Sequence, residues 1–352
     1  MILSSARTTL RGTMQPQKTI AGDYGSDRHG LVWGLEFHAN GTVSLIDAEQ
    51  AAVRLAAHPP DGGFCWLHFS LANIASERWL RQFADLPDAF YECLRAEGVS
   101  TRVEQAGDAL LAVVNDVLFD FRYDVSDVAT MVPCVRPGLV VSARLKPLRS
   151  VDRLRESVKA GLRCRSPVFL LARLLENQAN VLLEIVRQVG GIVDGIEDSI
   201  LISRVTIKRG ELAAQRRLLV RLQRLLAPEP AALFRLLGRP PRWIPSDELQ
   251  DLRQSAEEFS AVVAECSALV DRVKLIQEEL ADTINEQNSR SLFLLTFATV
   301  LLMPFNVVGG LFGMNVGGIP FATSSAGFWV IIVVVTALTG TLTWALIRQF
   351  RR

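Results

Sequence analysis

The sequence predicts an α/β cytosolic domain followed by a long stalk helix and two C-terminal transmembrane helices. Three observations carry that expectation. Apolar periodicity is strand-like up to about residue 145 and helical after Pro147. A helical apolar repeat begins at Ser246 and meets no proline before Pro304. Residues 291–347 contain no Asp, Glu, Lys, Arg or His, in a chain where 21% of residues are charged. A stretch of that length is more than twice the ~20 apolar residues that one membrane-spanning helix needs.

The opening residues 1–22 are acid-free and rich in Ser, Thr and Arg, which predicts a disordered N-terminus; residues 1–3 are too short for the apolar core of a secretory signal. Residues 23–150 should form the α/β domain. Runs rich in β-branched and aromatic residues at 31–37, 42–46, 64–69, 109–114, 128–132 and 139–143 predict strands, and Asn40-Gly41 and Asp61-Gly62-Gly63 supply turns. Helical patterns occupy 76–86 and 89–97.

Residues 151–245 read as the helical part of this domain, with Pro167 opening a helix to about residue 203 and a second helix at 207–226. The second carries Arg209, Arg216, Arg217, Arg221 and Arg224. Ser246 is an N-cap candidate for a stalk over 246–290, with Leu252, Phe259, Leu269, Val273, Ile276 and Leu280 on its apolar stripe. Continued to Phe312, that helix would be about 100 Å long. One apolar stripe on such a rod cannot bury itself, so the rod needs partners. Its charges are mostly acidic and those of 204–242 mostly Arg, which predicts a hairpin whose opposite charges face each other.

The uncharged region divides into spans at 291–315 and 328–347, joined by an outer loop at 316–327. Arg290 precedes the first span, Arg348, Arg351 and Arg352 follow the second in the 348–352 tail, and the loop has no Lys or Arg. The positive-inside rule then puts both termini in the cytoplasm, in a cell or inner membrane. A formal net charge of +1 points to no nucleic-acid partner, and five Cys without close pairing fit a reducing compartment. Phosphate-binding, zinc-protease and serine-hydrolase motifs are all missing, so no enzyme and no cofactor are expected.

The segment Leu311-Phe312-Gly313-Met314-Asn315 closes the first span and resembles the Gly-Met-Asn signature of CorA-type divalent metal ion transporters. Leu302-Met303-Pro304-Phe305 and Val316-Gly317-Gly318-Ile319-Pro320 look like the ZntB zinc-transporter branch of that family. The resemblance implies a funnel-shaped homopentamer in a lipid membrane, with five long helices lining a pore. It implies Zn²⁺ as the transported cation, taken up with possible proton coupling, with a Mg²⁺, Co²⁺ or Ni²⁺ channel as the alternative. It also implies that Gly313, Met314 and Asn315 meet a hydrated ion at the outer entrance. Residues 316–327 hold no acid, unlike the family's magnesium channels.

Helical spacing gives a second route to the pathway. Stepping inward from Asn315 by threes and fours passes Asn306, Met303, Thr299, Leu295, Leu292, Asn288, Asn285 and Glu278. Rings of Asn and Thr would offer neutral oxygens to a hydrated ion, held transiently at Asn315 and Asn306, and Leu292 with Leu295 would gate by dewetting. The alternative has those Leu facing lipid or the second span. An amide such as Asn306 is costly in hydrocarbon unless it faces a cavity or another helix. Gly309, Gly313 and Gly317 follow the small-xxx-small spacing of close helix packing. Glu278, Asp282 and Glu286 are candidates for an acidic cytosolic pore mouth, or simply a solvated face. With no titratable group in 291–347, proton coupling would have to use these acids, water, or hydroxide travelling with the metal.

Tight zinc ligands are not expected. His29, His38, His58 and His68 all lie in the first 70 residues, and Cys65 and His68 should point to opposite faces of one strand. The rival class is a membrane-anchored coiled-coil scaffold, which would need neither Asn306 nor the Gly-Met-Asn turn.

Overall fold

The computed structural model describes residues 25–57, 63–95, 101–124, 126–201, 205–314 and 326–350. The chain forms two compact units, Met1–Asp198 with Gly210–Lys274, and Ser199–Arg209 with Leu275–Arg352. Residues 1–22, most of the outer loop, Asn315 and the last two Arg lie outside the described residues.

The first unit is built on a seven-stranded sheet of β1 (Leu31–Phe37), β2 (Val43–Ile46), β3 (Phe64–Ser70), β4 (Arg102–Ala106), β5 (Ala109–Val117), β6 (Val128–Arg136) and β7 (Leu139–Arg144). Their order is β2-β1-β3-β7-β6-β5-β4. Only β3 and β7 run parallel; the other neighbours are antiparallel. Every residue of β3 and β5 is buried, because helices cover both faces of the sheet. Strand alternation sorts the side chains: Trp66 joins Trp33 and Val140 on one face, whereas Cys65, Leu67 and Phe69 lie on the other.

The first face is covered by α4 (Arg149–Lys159), α5 (Pro167–Leu201), α7 (Pro228–Leu237) and the start of α8 (Ser246–Phe312), through Leu154, Leu174, Leu233 and Leu252. The second is covered by α1 (Ala48–Ala56), α2 (Ala75–Phe83) and α3 (Asp88–Arg95), through Ala51, Trp79, Leu80 and Phe90. Two elements were not expected from periodicity. β4 is an edge strand with Val103 as its one buried residue. α1 is fixed by a capping box in which Asp47 accepts the Gln50 N–H at 2.8 Å and the Gln50 side chain accepts the Asp47 N–H at 3.0 Å.

Neutral groups take part in joining the neighbouring helices. On α6 (Val205–Leu226), Arg217, Arg221 and Arg224 are exposed and pair with no described residue. α6 instead meets α8 through neutral groups: Gln223 donates to Ser267 Oγ at 2.8 Å, and Cys266 Sγ lies 3.8 Å from the Leu219 carbonyl. Ion pairs tie the stalk elsewhere: Arg272 reaches Asp194 of α5 at 2.7 Å and also contacts Glu197, and Asp251 pairs with Arg165. Apolar residues at 212, 218, 219 and 222 take the inward positions of α6, and the helical period turns Arg217, Arg221 and Arg224 outward.

The second unit holds the remainder of α8 and α9 (Gly327–Phe350). Both helices contain a stretch long and apolar enough to cross a membrane. The sequence expectation of an α/β domain, a long helix and two apolar C-terminal helices is thus met.

A candidate ion pathway along α8

α8 is one unbroken helix to Phe312, so the threes-and-fours arithmetic applies along its whole length. In its apolar part the residues withdrawn from solvent are Phe293, Phe297, Val300, Pro304 and Val308, all on one stripe. On α9 the corresponding stripe is Gly327, Ile331, Val335, Thr339 and Thr343. Pro304 lacks the N–H that would bond to residue 300, and it is the one fully buried position of α8 in this region.

Asn285, Asn288, Leu292, Leu295, Thr299, Met303 and Asn306 are all exposed and lie roughly 130° around the helix from the withdrawn stripe. Leu292, Leu295 and Met303 are 64%, 66% and 61% exposed, which water would not tolerate over so long a row. Thr299 Oγ1 donates to the Leu295 carbonyl at 2.9 Å, and Ser291 Oγ to that of Gln287 at 3.0 Å. Each hydroxyl's proton is thereby spent within the helix, and its oxygen stays turned outward as an acceptor, the polarity a hydrated cation requires. Glu278 falls near the line of this stripe; Asp282 and Glu286 are turned from it by roughly 90° and 130°.

At its C-terminal end α8 stops with the Gly313 N–H on the Gly309 carbonyl at 2.9 Å. A Cβ on Gly313 would sit 2.8 Å from that carbonyl oxygen, closer than side-chain carbons approach, so only glycine fits the turn unshifted. A Cβ on Gly309 would meet nothing within 4 Å in this chain. Met314 is exposed; Asn315 and Gly317 lie outside the described residues.

The ends of α9 carry interfacial side chains. Phe328 and Trp329 stand at one end, and Arg348 stacks over Trp344 at 5.2 Å at the other. The two Trp are roughly 22 Å apart along the axis.

Among the described residues no three His, Cys, Asp or Glu side chains meet as a metal cluster. His68 is buried with both ring nitrogens engaged: Arg144 Nε donates to Nε2 at 2.6 Å, and Nδ1 lies 2.7 Å from Ser142 Oγ. Desolvation and the Arg144 and Arg155 charges hold its pKa well below the usual imidazole value, so it is neutral. Cys65, on the opposite face, has its thiol pushed up to about 11 by burial. That pair is therefore core strand. His58 lies outside the described residues.

Three comparisons place this geometry among known proteins. A family model described as CorA-like Mg²⁺ transporter protein matches residues 61–349. The zinc transport protein ZntB of Pectobacterium carotovorum subsp. carotovorum is 24% identical over 285 residues, 81% of this chain and 87% of that protein. The divalent cation transporter CmaX of Pseudomonas aeruginosa is 26% identical over 330 residues, 92% of this chain and 97% of that one. The solved structure of the full-length CmaX protein matches with a TM-score of 0.78 at 23% identity, over 93% of this chain and 99% of that chain, which shows a common fold. These are transporters rather than enzymes, and the chain belongs to the CorA-like Mg²⁺ transporter family, as a membrane protein that transports divalent cations.

Proposed function

We propose that the protein is a homopentamer that carries Zn²⁺ into the cell through a pore lined by five copies of α8. The observation that carries this reading is the exposed stripe of α8, which alternates neutral oxygens with an apolar pair. Five such stripes around one axis would hide the apolar rows from water and bring the oxygens into rings. A second stripe, on the stalk part of α8, supports close assembly. Ala261, Ala264 and Ala268 are exposed at heptad-like spacing, opposite a buried row through Phe259, Cys266 and Val273.

In this reading Gly313, Met314 and Asn315 receive the hydrated ion, Asn306 and Thr299 pass it inward through water, and Leu292 with Leu295 form the dewetting gate. Asn288 and Asn285 lead to the cytosolic mouth, with Glu278 in line and Asp282 and Glu286 beside it. Both termini are cytoplasmic. Zinc is favoured by the ZntB relatives and by the acid-free loop sequence 316–327; magnesium is the rival, favoured by the family description. An ion kept in its water shell needs no His or Cys, and weak, multiple contacts let it leave.

Flux of Zn²⁺, Mg²⁺, Co²⁺ and Ni²⁺ into liposomes containing the purified protein, with and without a pH gradient, tests the proposal. Zn²⁺ entry that exceeds Mg²⁺ entry and responds to the gradient is the expected result. Faster Mg²⁺ entry, indifferent to pH, would make the protein a magnesium channel. An ion-impermeable oligomer would make it a scaffold.

A further inference from the structure

The helical layer of the first unit is fastened to the sheet at two consecutive residues of β5. Asn115 pairs with Thr130 of β6, but on its other side β4 has ended, the last pair there being Arg102 with Val113. The Asn115 N–H and C=O are thus left over by the sheet in a buried layer, where each must find a partner. Glu229 Oε1, in the first turn of α7, accepts the N–H at 2.7 Å, and Gln178 of α5 donates to the carbonyl at 2.7 Å. The Asn115 side chain donates to the Leu225 carbonyl at the end of α6 and to Thr101 Oγ1, at 3.2 and 2.8 Å. Asp116 beside it accepts the Ser150 N–H and hydroxyl at 2.9 and 2.7 Å, holding the start of α4, and the Val117 N–H at 2.8 Å.

Two carboxyls therefore share this interior, in different surroundings. Asp116 has three donors and the field of Arg149, with Arg153 also facing it from α4. Glu229 is completely buried, and the groups that set its charge state are Asp116, Asn115 of β5 and Gln178 of α5, none of them a cation. α6 contributes the neutral Leu225 carbonyl and β6 the neutral Thr130 hydroxyl to the same cluster. Burial pushes Asp116 up to about 6, and burial together with the Asp116 charge takes Glu229 well above the ordinary carboxylate range. Gln178 gives an independent, geometric argument. Its NH₂ is occupied by the Asn115 carbonyl and the Glu229 carboxyl, at 2.7 and 3.3 Å, while its buried Oε1 has no donor. Protonating Glu229 would add a donor to this cluster, where leaving such an acceptor unpaired costs about 1–3 kcal/mol.

We propose that Glu229 is a proton-binding site of the α/β domain, held as the neutral acid, whose proton latches α5 and α7 onto Asn115 of β5. Losing it to water puts a second negative charge beside Asp116 at a position where no cation offsets Glu229, which loosens the α5–α7 layer from the sheet edge. The proposal is independent of which ion crosses the membrane. A carboxyl whose folded pKa is raised contributes stability fully present below its unfolded value and lost as pH rises through the folded one. Asp116 adds the same sign in the window up to about 6.

The test uses the full-length protein and Glu229→Gln, which keeps an acceptor for the Asn115 N–H and cannot ionise. Thermal unfolding should match wild type at about pH 4.5 and lie several degrees higher at about pH 8.5, with the wild-type fall between these values largely removed. Amide exchange at Asn115, corrected for its intrinsic pH dependence, should accelerate at least about tenfold in wild type across that interval and hold steady in the variant. Infrared difference spectra of the wild type should show a protonated-carboxyl band titrating above about pH 6. A variant that melts lower at both pH values, one that keeps the wild-type pH profile, or a wild type without that band would overturn the proposal, and the band decides even if the variant fails to fold.

Discussion

α8 places two kinds of apolar residue on one helix. In its first part Leu252, Phe259 and Val273 are wholly buried among the chain's own side chains; in its last part Leu292, Leu295 and Met303 are more than half exposed. The difference is one of partner, not of composition. The first row is satisfied within the chain, and truncating it should act on folding. Among the described residues nothing covers the second row, so its energetics belong to surroundings outside the chain's own core. A single helix thus joins a stretch governed by core packing to one governed by membrane solvation.

The largest effect that would sharpen this contrast is on stability. Phe259→Ala should cost about 3–5 kcal/mol of unfolding free energy, because the site is fully buried and a cavity remains. Leu292→Ala should leave unfolding of the α/β domain unchanged. Equal destabilisation by both, measured by denaturant titration, would break the contrast.

Next in size is transport. Asn315→Ala should lower flux on the order of tenfold, the equivalent of about 1.4 kcal/mol of ion contact, while the oligomer stays intact in cross-linking. Unchanged flux would remove the entrance from the account. The smallest effect is a leak: Leu295→Asn should raise ion flux in the absence of a gradient severalfold, because an apolar ring excludes water only while it remains apolar. Reduced flux without leak would instead assign Leu295 to packing.

The sequence was most legible where one period ran long. The ends of α8 follow from an uninterrupted helical repeat, as does the polar stripe, although Ser246 is its first helical residue and Pro245, whose carbonyl accepts the Leu249 N–H at 3.1 Å, holds the cap position expected for Ser246. Short elements were harder. β4 is polar on an exposed edge, and α1 was announced only by Asp47 and Gln50 three residues apart. The charge pattern of α6 does not say which face carries the contact; its Leu residues claim the inward positions. The Glu229 cluster was hidden for another reason. Pro228-Glu229-Pro230 reads as a solvated turn, yet proline is at home in a first helical turn, and burial follows from the early end of β4, a tertiary fact. Asn115-Asp116, polar within the otherwise apolar run of β5, was the one local sign of it.

The central claim is that the exposed stripe of α8, and not its withdrawn stripe, faces water in the assembled transporter. Single cysteines placed along residues 297–306 test it directly, since residues 291–347 contain none of their own. In liposomes, a membrane-impermeant thiol reagent should modify Thr299→Cys and Asn306→Cys and block their flux, with the transported ion protecting Asn306→Cys. Phe297→Cys and Val300→Cys should stay unmodified. Labelling of Phe297→Cys and Val300→Cys with Thr299→Cys and Asn306→Cys untouched would contradict the account.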